Sequence, residues 1–167
     1  MIENENDVVP AKPVLILGIG NILLRDEGVG VRTIEAMAGL DLPEGVETLD
    51  GGTSGADLVY EVAGRRKLIV IDATDAQAAP GAVFRLTLDD LLAESRGSIS
   101  LHELGLTETL TIARQLGCPP REVVIFAVQP KVVEFGLELS DEVKGVLPRL
   151  IDAVLAEARR CPADCLV

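Results

Sequence analysis

The sequence predicts an α/β fold: a three-layer α/β/α sandwich around a twisted, mostly parallel sheet, in a single domain. Short aliphatic runs of strand length alternate with helix-like segments, and crossovers of this kind give a mainly parallel sheet with helices on both faces. Hydrophobic residues make up 48% of the chain but aromatic residues only 2%. A core of Val, Leu, Ile and Ala is typical of a parallel sheet buried on both faces. A length of 167 residues suits one such core.

Five segments are predicted to be strands. Four of them are VLILGI at 14–19, VETLD at 46–50, KLIVIDA at 67–73 and EVVIFAV at 122–128. The fifth, AVFRLTL at 82–88, alternates between apolar and polar residues after the turn at Pro80 and Gly81, which is typical of an edge strand.

Five helices are predicted from apolar periodicity and from residues that start or stop helices. Their expected ranges are 31–40, 56–64, 88–95, 101–116 and 141–160. Ser54 with Asp57, and Ser100 with Glu103, have the spacing of a capping box. Ser140 is expected to cap the last helix.

The predicted domain organisation is simple: a flexible leader at 1–13, one folded domain at 14–160 and a C-terminal tail at 161–167. The first residues are acidic and lack the basic start and apolar stretch of a signal peptide, so a cytoplasmic protein is expected. The three cysteines, two of them in the tail sequence CPADC, lack C-x-x-C spacing. They are expected to be reduced thiols without a catalytic role.

The net charge of −12 argues against two classes of partner. Nucleic acids and anionic membranes both require a basic surface, so neither is expected to bind. No apolar run approaches the ~20 residues that span a bilayer. An acidic surface remains compatible with cations or with a basic protein partner.

Polar residues collect where the predicted strands end, which is the edge at which open α/β sheets bind ligands. The residues at these ends are Gly18, Gly20, Asn21, Asp26, Glu27, Asp50, Gly51, Gly52, Thr53, Asp72, Thr74, Asp75, Gln129 and Pro130. Two of them, Glu27 and Asp72, combine with the only histidine, His102, to offer the donors of an open three-ligand metal site.

Each of the three candidate ligands also has a structural alternative. His102 is predicted to be the second residue inside a helix, where the dipole disfavours imidazolium and a neutral ring can bind a metal. The alternative is a structural histidine whose hydrogen bonds are satisfied within the protein. Asp26 and Glu27 could cap the helix that follows them, whereas a carboxylate at Asp72, directly after four buried aliphatic residues, either caps a neighbouring loop or binds a ligand.

Gly18-Ile19-Gly20 resembles the start of a dinucleotide-binding fingerprint. The third glycine of G-x-G-x-x-G is absent, because Leu23 occupies that position, and Asp26 and Glu27 would repel a pyrophosphate. The two glycines are also explained by a tight turn from strand to loop. Nucleotide binding is therefore the less favoured interpretation of this segment.

With these residues identified, the chain resembles the nickel–iron hydrogenase maturation endopeptidases from Val14 to about Ala158. The resemblance depends on four segments in this order: LGIGNILLRDEGVG at 17–30, LDGGTSG at 49–55, VIDA at 70–73 and HELGL at 102–106. Each segment alone is weakly diagnostic, but their combination in this order and spacing is specific. The leader before Val14 is longer than is usual in the family.

The resemblance implies that the chain cuts a C-terminal extension from the precursor of a hydrogenase large subunit after nickel has been inserted. The metal-contacting Glu, Asp and His of the family correspond to Glu27, Asp72 and His102, and the two carboxylates are the expected catalytic residues. Nickel is expected to be carried by the substrate and contacted by the protease. The expected partners are the large-subunit precursor and, transiently, nickel-insertion accessory proteins. The substrate-binding residues are expected to be Asn21, Asp26, Asp50, Gly51, Gly52 and Thr53.

The sequence leaves the mechanism open. The metal could polarise the scissile carbonyl or activate water, or Asp72 or Glu27 could act as general base once the metal has positioned the peptide. No convincing nucleophile accompanies the single histidine, so a serine or cysteine triad is not expected. A non-catalytic protein that carries or senses nickel with the same three residues is the alternative function.

Overall fold

The computed structural model of the protein describes residues 12–90 and 105–160. Its strands are β1 (Val14–Ile19), β2 (Val46–Gly52), β3 (Lys67–Ala73), β4 (Val83–Thr87) and β5 (Glu122–Val128). Its helices are α1 (Val29–Met37), α2 (Val59–Val62), α3 (Leu106–Gln115) and α4 (Asp141–Arg159), with 3-10 helices at Arg25–Gly28 and Ala56–Leu58.

The described strands form one sheet in the order β2-β1-β3-β5-β4. The pairs β1–β2, β1–β3 and β3–β5 are parallel, and β4 alone runs antiparallel at the edge beside β5. The predicted mostly parallel sheet and the predicted edge strand are therefore confirmed. β2 extends two residues beyond its predicted end at Asp50, so Gly51 and Gly52 belong to the strand.

Burial on both faces explains why the central strands are aliphatic. Ile16 of β1 packs into a core cluster with residues of α1 and α4, while Leu15 and Leu17 pack into a second cluster with residues of α2 and α3. All six residues of β1 are buried. The sheet thus lies between two helical layers, as the three-layer prediction requires. None of the helices in the described ranges has the length and apolarity needed to cross a membrane.

The helices depart from prediction at several points. The predicted helix at 56–64 is a 3-10 turn followed by α2, and the N-cap of α2 is Leu58 rather than Ser54. The predicted continuous helix over 101–116 is wrong, because Gly105 has a left-handed backbone with φ of 66° and α3 begins at Leu106. α4 is confirmed, and its N-cap Ser140 accepts a hydrogen bond from the Val143 amide.

Two residues of the predicted leader, Lys12 and Pro13, contact the rest of the domain. Most of the predicted leader and all of the predicted tail lie outside the described residues. Lys12 and Pro13, however, belong to the folded domain. The Lys12 ammonium donates to the Val46 carbonyl at 3.2 Å, and the Pro13 carbonyl accepts from the amides of Arg66 and Lys67 at 2.9 and 3.2 Å.

A buried charge cluster joins the start of β3 to the last helix and the edge strand. Lys67 and Glu157 are 1% and 2% exposed, with 2.6 Å between the ammonium and a carboxylate oxygen. Arg85 on β4 donates to the other oxygen of Glu157 at 2.8 Å. The hydrogen bond from Arg85, with that from Lys67, lowers the pKa of Glu157 to about 2, although burial opposes the change.

The lowered pKa predicts a pH-dependent stability. Because Glu157 titrates at about 2 in the folded protein and near 4.5 in the unfolded chain, its contribution is present above pH 4.5 and is lost as the pH falls toward 2. Glu157→Gln should lower the free energy of unfolding at pH 7 by about 3 kcal/mol, since Lys67 and Arg85 lose their shared anion. Urea unfolding of wild type and variant at pH 7 and pH 3 should show this difference shrinking at the lower pH.

Glu138→Gln is the matched control, because the Glu138 side chain is 85% exposed and lies 4.0 Å from its nearest cationic partner. Its unfolding free energy should follow wild type at both pH values. If the loss of unfolding free energy in Glu157→Gln is the same at pH 7 and pH 3, the ionised Glu157 carboxylate does not stabilise the fold.

Candidate active site

The candidate active site lies at the edge of the sheet where the parallel strands end. β1, β2, β3 and β5 run in the same direction, so the residues that follow them meet at one edge. Open α/β sheets bind their ligands at this edge. It gathers the loop after β1, the ends of β2 and β3 and the loop after β5, which contain most of the predicted site residues.

Two glycines allow α1 to lie directly on the strands. A Cβ atom at Gly18 would collide with the Gly30 carbonyl oxygen, and one at Gly30 would collide with the carbonyl oxygens of Ile19 and Ile71. Only glycine permits backbones to approach so closely. This contact, rather than a nucleotide-binding turn, accounts for Gly18, and it fixes the start of α1 against the ends of β1 and β3.

The same contact brings Glu27 and Asp72 to one edge. Glu27 belongs to the 3-10 helix that leads into α1, three residues before Gly30, and this 3-10 helix contacts β3. Asp72 directly follows Ile71 in β3 and is 2% exposed, whereas Glu27 is half-buried. Each has interaction partners within the protein. Two carboxylates largely withdrawn from water, at the ligand-binding edge, offer oxygen ligands to a metal or a base for proton transfer.

The predicted third ligand, His102, lies outside the described residues. Within residues 12–90 and 105–160, no three His, Cys, Asp or Glu side chains form a group that could hold a metal ion. The three-residue site therefore stays a prediction. The helix that was predicted to begin at Leu101 spans Leu106–Gln115, so it does not include His102.

The ends of β1 and β2 form one side of the edge. The Gly20 amide donates to the Gly52 carbonyl at 2.9 Å, which ties the loop after β1 to the end of β2. Asp50 accepts from the Gly52 amide at 2.9 Å, and Asn21 accepts from the Leu23 amide at 2.9 Å, so both side chains shape their own loops. Gly51 is buried and Thr53 exposed. These candidate substrate-binding residues lie together, and their binding role stays a prediction.

Asp26, which was expected to bind substrate, has a structural task within the protein. Asp26 is 0% exposed, and all the donors to its carboxylate are internal. It accepts from the amides of Lys131, Val132 and Ser140 at 2.9, 3.0 and 2.7 Å, and from the Ser140 hydroxyl at 2.7 Å. Burial by itself raises the pKa of Asp26, but these hydrogen bonds outweigh it, so the pKa lies below its ordinary value. The buried anion ties the loop after β1 to both ends of the segment 131–140.

Gln129, at the end of β5, organises the loop that follows Asp72. Its side-chain oxygen accepts from the amides of Ala76 and Ala78 at 2.8 and 3.2 Å, and its nitrogen donates to Asp75 at 3.2 Å. The sequence predicted that Gln129 follows a strand but did not predict which groups it binds. A structural role for Gln129 could have been predicted, because a polar side chain directly after a buried apolar run needs hydrogen-bond partners nearby.

The sequence matches the family described as hydrogenase maturation protease (HycI) over residues 31–157. Among curated proteins, it is 36% identical over 155 residues to the hydrogenase 2 maturation protease of Escherichia coli (strain K12), covering 92% of this chain and 94% of that protein. It is 41% identical over 141 residues to the hydrogenase expression/formation protein HoxM of Azotobacter vinelandii, covering 82% of this chain and 68% of that protein.

Solved structures agree with these matches. The hydrogenase maturating endopeptidase HybD from E. coli superposes with a TM-score of 0.79 at 38% identity, covering 87% of this chain and 91% of that one. The [NiFe] hydrogenase maturation protease HybD from Thermococcus kodakarensis superposes with a TM-score of 0.72 at 27% identity, covering 87% and 97%.

The role found for Asp26 predicts a structural defect in Asp26→Asn. The variant keeps one oxygen acceptor and presents an NH2 group to the remaining donors, so the free energy of unfolding should fall by about 3 kcal/mol. Hydrogen exchange at the amides of Val132 and Ser140 should accelerate. Urea unfolding and exchange measured by NMR check both effects.

Asp41→Asn serves as the control, because Asp41 is exposed and precedes β2, at the opposite edge of the sheet. It should leave stability and exchange unchanged. Wild-type exchange rates at Val132 and Ser140 in Asp26→Asn would show that Asp26 does not hold the segment 131–140 in place.

Proposed function

The chain belongs to the hydrogenase maturation protease family and is a peptidase, and from this premise we propose that it completes the maturation of a nickel–iron hydrogenase. In this proposal it removes a C-terminal extension from the large-subunit precursor once nickel has been inserted. The observation that carries the proposal is the meeting of Glu27 and Asp72 at the carboxyl edge of the sheet, in a chain that matches its relatives over most of its length.

The proposed substrate carries its own metal. Nickel accepts oxygen ligands from carboxylates and a nitrogen ligand from a neutral imidazole. Glu27, Asp72 and His102 would contact the nickel of the loaded precursor, and an unloaded precursor would lack this anchor. Nickel insertion would therefore precede cleavage, and the accessory proteins that insert the metal would act before this chain.

The chain's own residues supply proton transfer in the proposed reaction. One of the two carboxylates, Asp72 or Glu27, accepts a proton from the attacking water, whose oxygen bonds to the scissile carbonyl carbon. As the peptide C–N bond breaks, the same residue returns the proton to the leaving amine. Burial of the site favours the reaction, because fixed dipoles act more strongly where water is excluded.

The ends of β1 and β2 are suited to hold the extended peptide beside these carboxylates. Asn21 and Asp50 already satisfy local amides, and Thr53 is exposed. The left-handed backbone of Gly52, with φ of 49°, ends the strand. These residues are the proposed substrate-binding side of the cleft.

Loss of either carboxylate should abolish cleavage without unfolding the chain. Asp72→Asn and Glu27→Gln keep side-chain size but remove the negative charge, so processing of nickel-loaded precursor should fall by at least about 100-fold. His102→Ala should have a comparable effect. Cleavage rates followed by gel electrophoresis, with far-UV circular dichroism as the test of folding, check this.

Asp41→Asn again provides a matched carboxylate-to-amide change away from the site. It should cleave at the wild-type rate. Wild-type activity in folded Asp72→Asn would refute the catalytic assignment.

Nickel loading of the precursor should determine whether it is cut. The protein is incubated with large-subunit precursor from the same source, prepared with and without nickel, and the products are analysed by mass spectrometry. A single C-terminal peptide should be released from the loaded precursor alone, because only that form offers the metal to Glu27, Asp72 and His102. Equal cleavage of both forms would show that the metal plays no part in recognition.

A further inference from the structure

An exposed apolar surface lies beside the candidate active site. Leu23, Val133, Phe135 and Leu137 are 51%, 55%, 88% and 58% exposed. Leu23 comes from the loop after β1, and the other three come from the segment 131–139 after β5. Isolated exposed apolar residues are ordinary, but a group on adjoining segments marks an interaction site. These four residues are called the apolar docking surface.

Backbone hydrogen bonds hold the two segments of this surface together. The Gly136 amide donates to the Leu23 carbonyl at 2.9 Å, and the Arg25 amide donates to the Gly136 carbonyl at 3.0 Å. The Asp26 amide donates to the Val132 carbonyl at 3.2 Å. Leu23 and Phe135 are therefore neighbours on one surface, and Glu27 follows directly after the residues that carry it.

Side chains fix the same segment along its length. Arg25 donates to the Glu138 carbonyl at 3.2 Å, and Arg32 on α1 donates to the Leu137 carbonyl at 2.9 Å. The buried Asp26 carboxylate binds the amides at both ends of the segment. The apolar side chains are thus presented on a backbone that is already ordered, which lowers the entropy cost of binding a partner.

The charge of the chain argues against a second copy as the occupant. Each copy carries a net charge of −12. Glu134 lies between Val133 and Phe135 and pairs with Arg25 at 3.2 Å, and Glu138 follows Leu137. Two copies that each carry the full net charge repel one another, which disfavours a self-complementary dimer. A different protein is the better fit.

We propose that the apolar docking surface binds an apolar segment of the large-subunit precursor and so positions its cleavage site at Glu27 and Asp72. This inference rests on the proposed function and extends it by naming the surface that recognises the substrate. Exposed aromatic residues at the centre of an apolar group are characteristic of binding hot spots. Phe135, the most exposed member, is the expected anchor.

Steady-state cleavage of nickel-loaded precursor tests the proposal. Phe135→Ser and Leu137→Ser should each raise KM about tenfold or more, with kcat within twofold of wild type, because the surface binds substrate but touches no reacting atom. Leu23→Ser should raise KM in the same way from the other segment. Thermal melting should stay near wild type, since all three side chains are more than half exposed.

Tyr60→Ser and Leu116→Ser are matched controls. Tyr60 is 86% exposed and Leu116 61%, but they lie on α2 and just after α3, on the other face of the sheet from α1. Both should keep wild-type KM. If the wild type cuts the precursor and Phe135→Ser has the KM of Tyr60→Ser, the docking surface is overturned. If the wild type leaves loaded precursor uncut, the proposed function fails, and the docking surface fails with it.

Discussion

The close contact between β1 and α1 is the constraint on which the site depends. Gly18 and Gly30 lie backbone to backbone, and Gly30 also meets the carbonyl oxygens of Ile19 and Ile71. A side chain at either glycine would push α1 away from the strand ends and take the preceding 3-10 helix with it. Glu27 would then leave the end of β3. The relative position of the two carboxylates thus depends on Gly18 and Gly30, which have no side chain.

Three consecutive residues in the loop after β1 divide two tasks between them. Arg25 and Asp26 bind the segment 131–140, and Glu27 lies at the candidate catalytic edge. Any movement of the segment 131–140 must therefore displace the backbone next to Glu27. In the proposed function, this arrangement would link recognition of the precursor to the position of Glu27.

The sequence predicted what depends on local pattern and missed what depends on distant contacts. β1, β3 and β5 have their predicted bounds, because burial on both faces demands continuous aliphatic runs. The start of α3 was misplaced because a capping-box spacing outweighed Gly105, whose left-handed backbone stops the helix. The structural task of Asp26 was not predicted because its partners lie 105 to 114 residues further along the chain. An acidic residue in a loop gives no local sign that four internal donors will surround it.

The two edges of the sheet bury charge in different ways. At the amino edge, Lys67 is neutralised by Glu157, so the buried charges there cancel. At the carboxyl edge, Asp26 is stabilised by backbone amides and a hydroxyl, which leave its negative charge in place. The ammonium of Lys131 pairs with Glu142 at 2.6 Å instead. Neutral donors can satisfy a buried carboxylate without cancelling its field. The negative charge of Asp26 therefore remains beside Glu27, and in the proposed function it would favour a substrate that arrives with a bound cation.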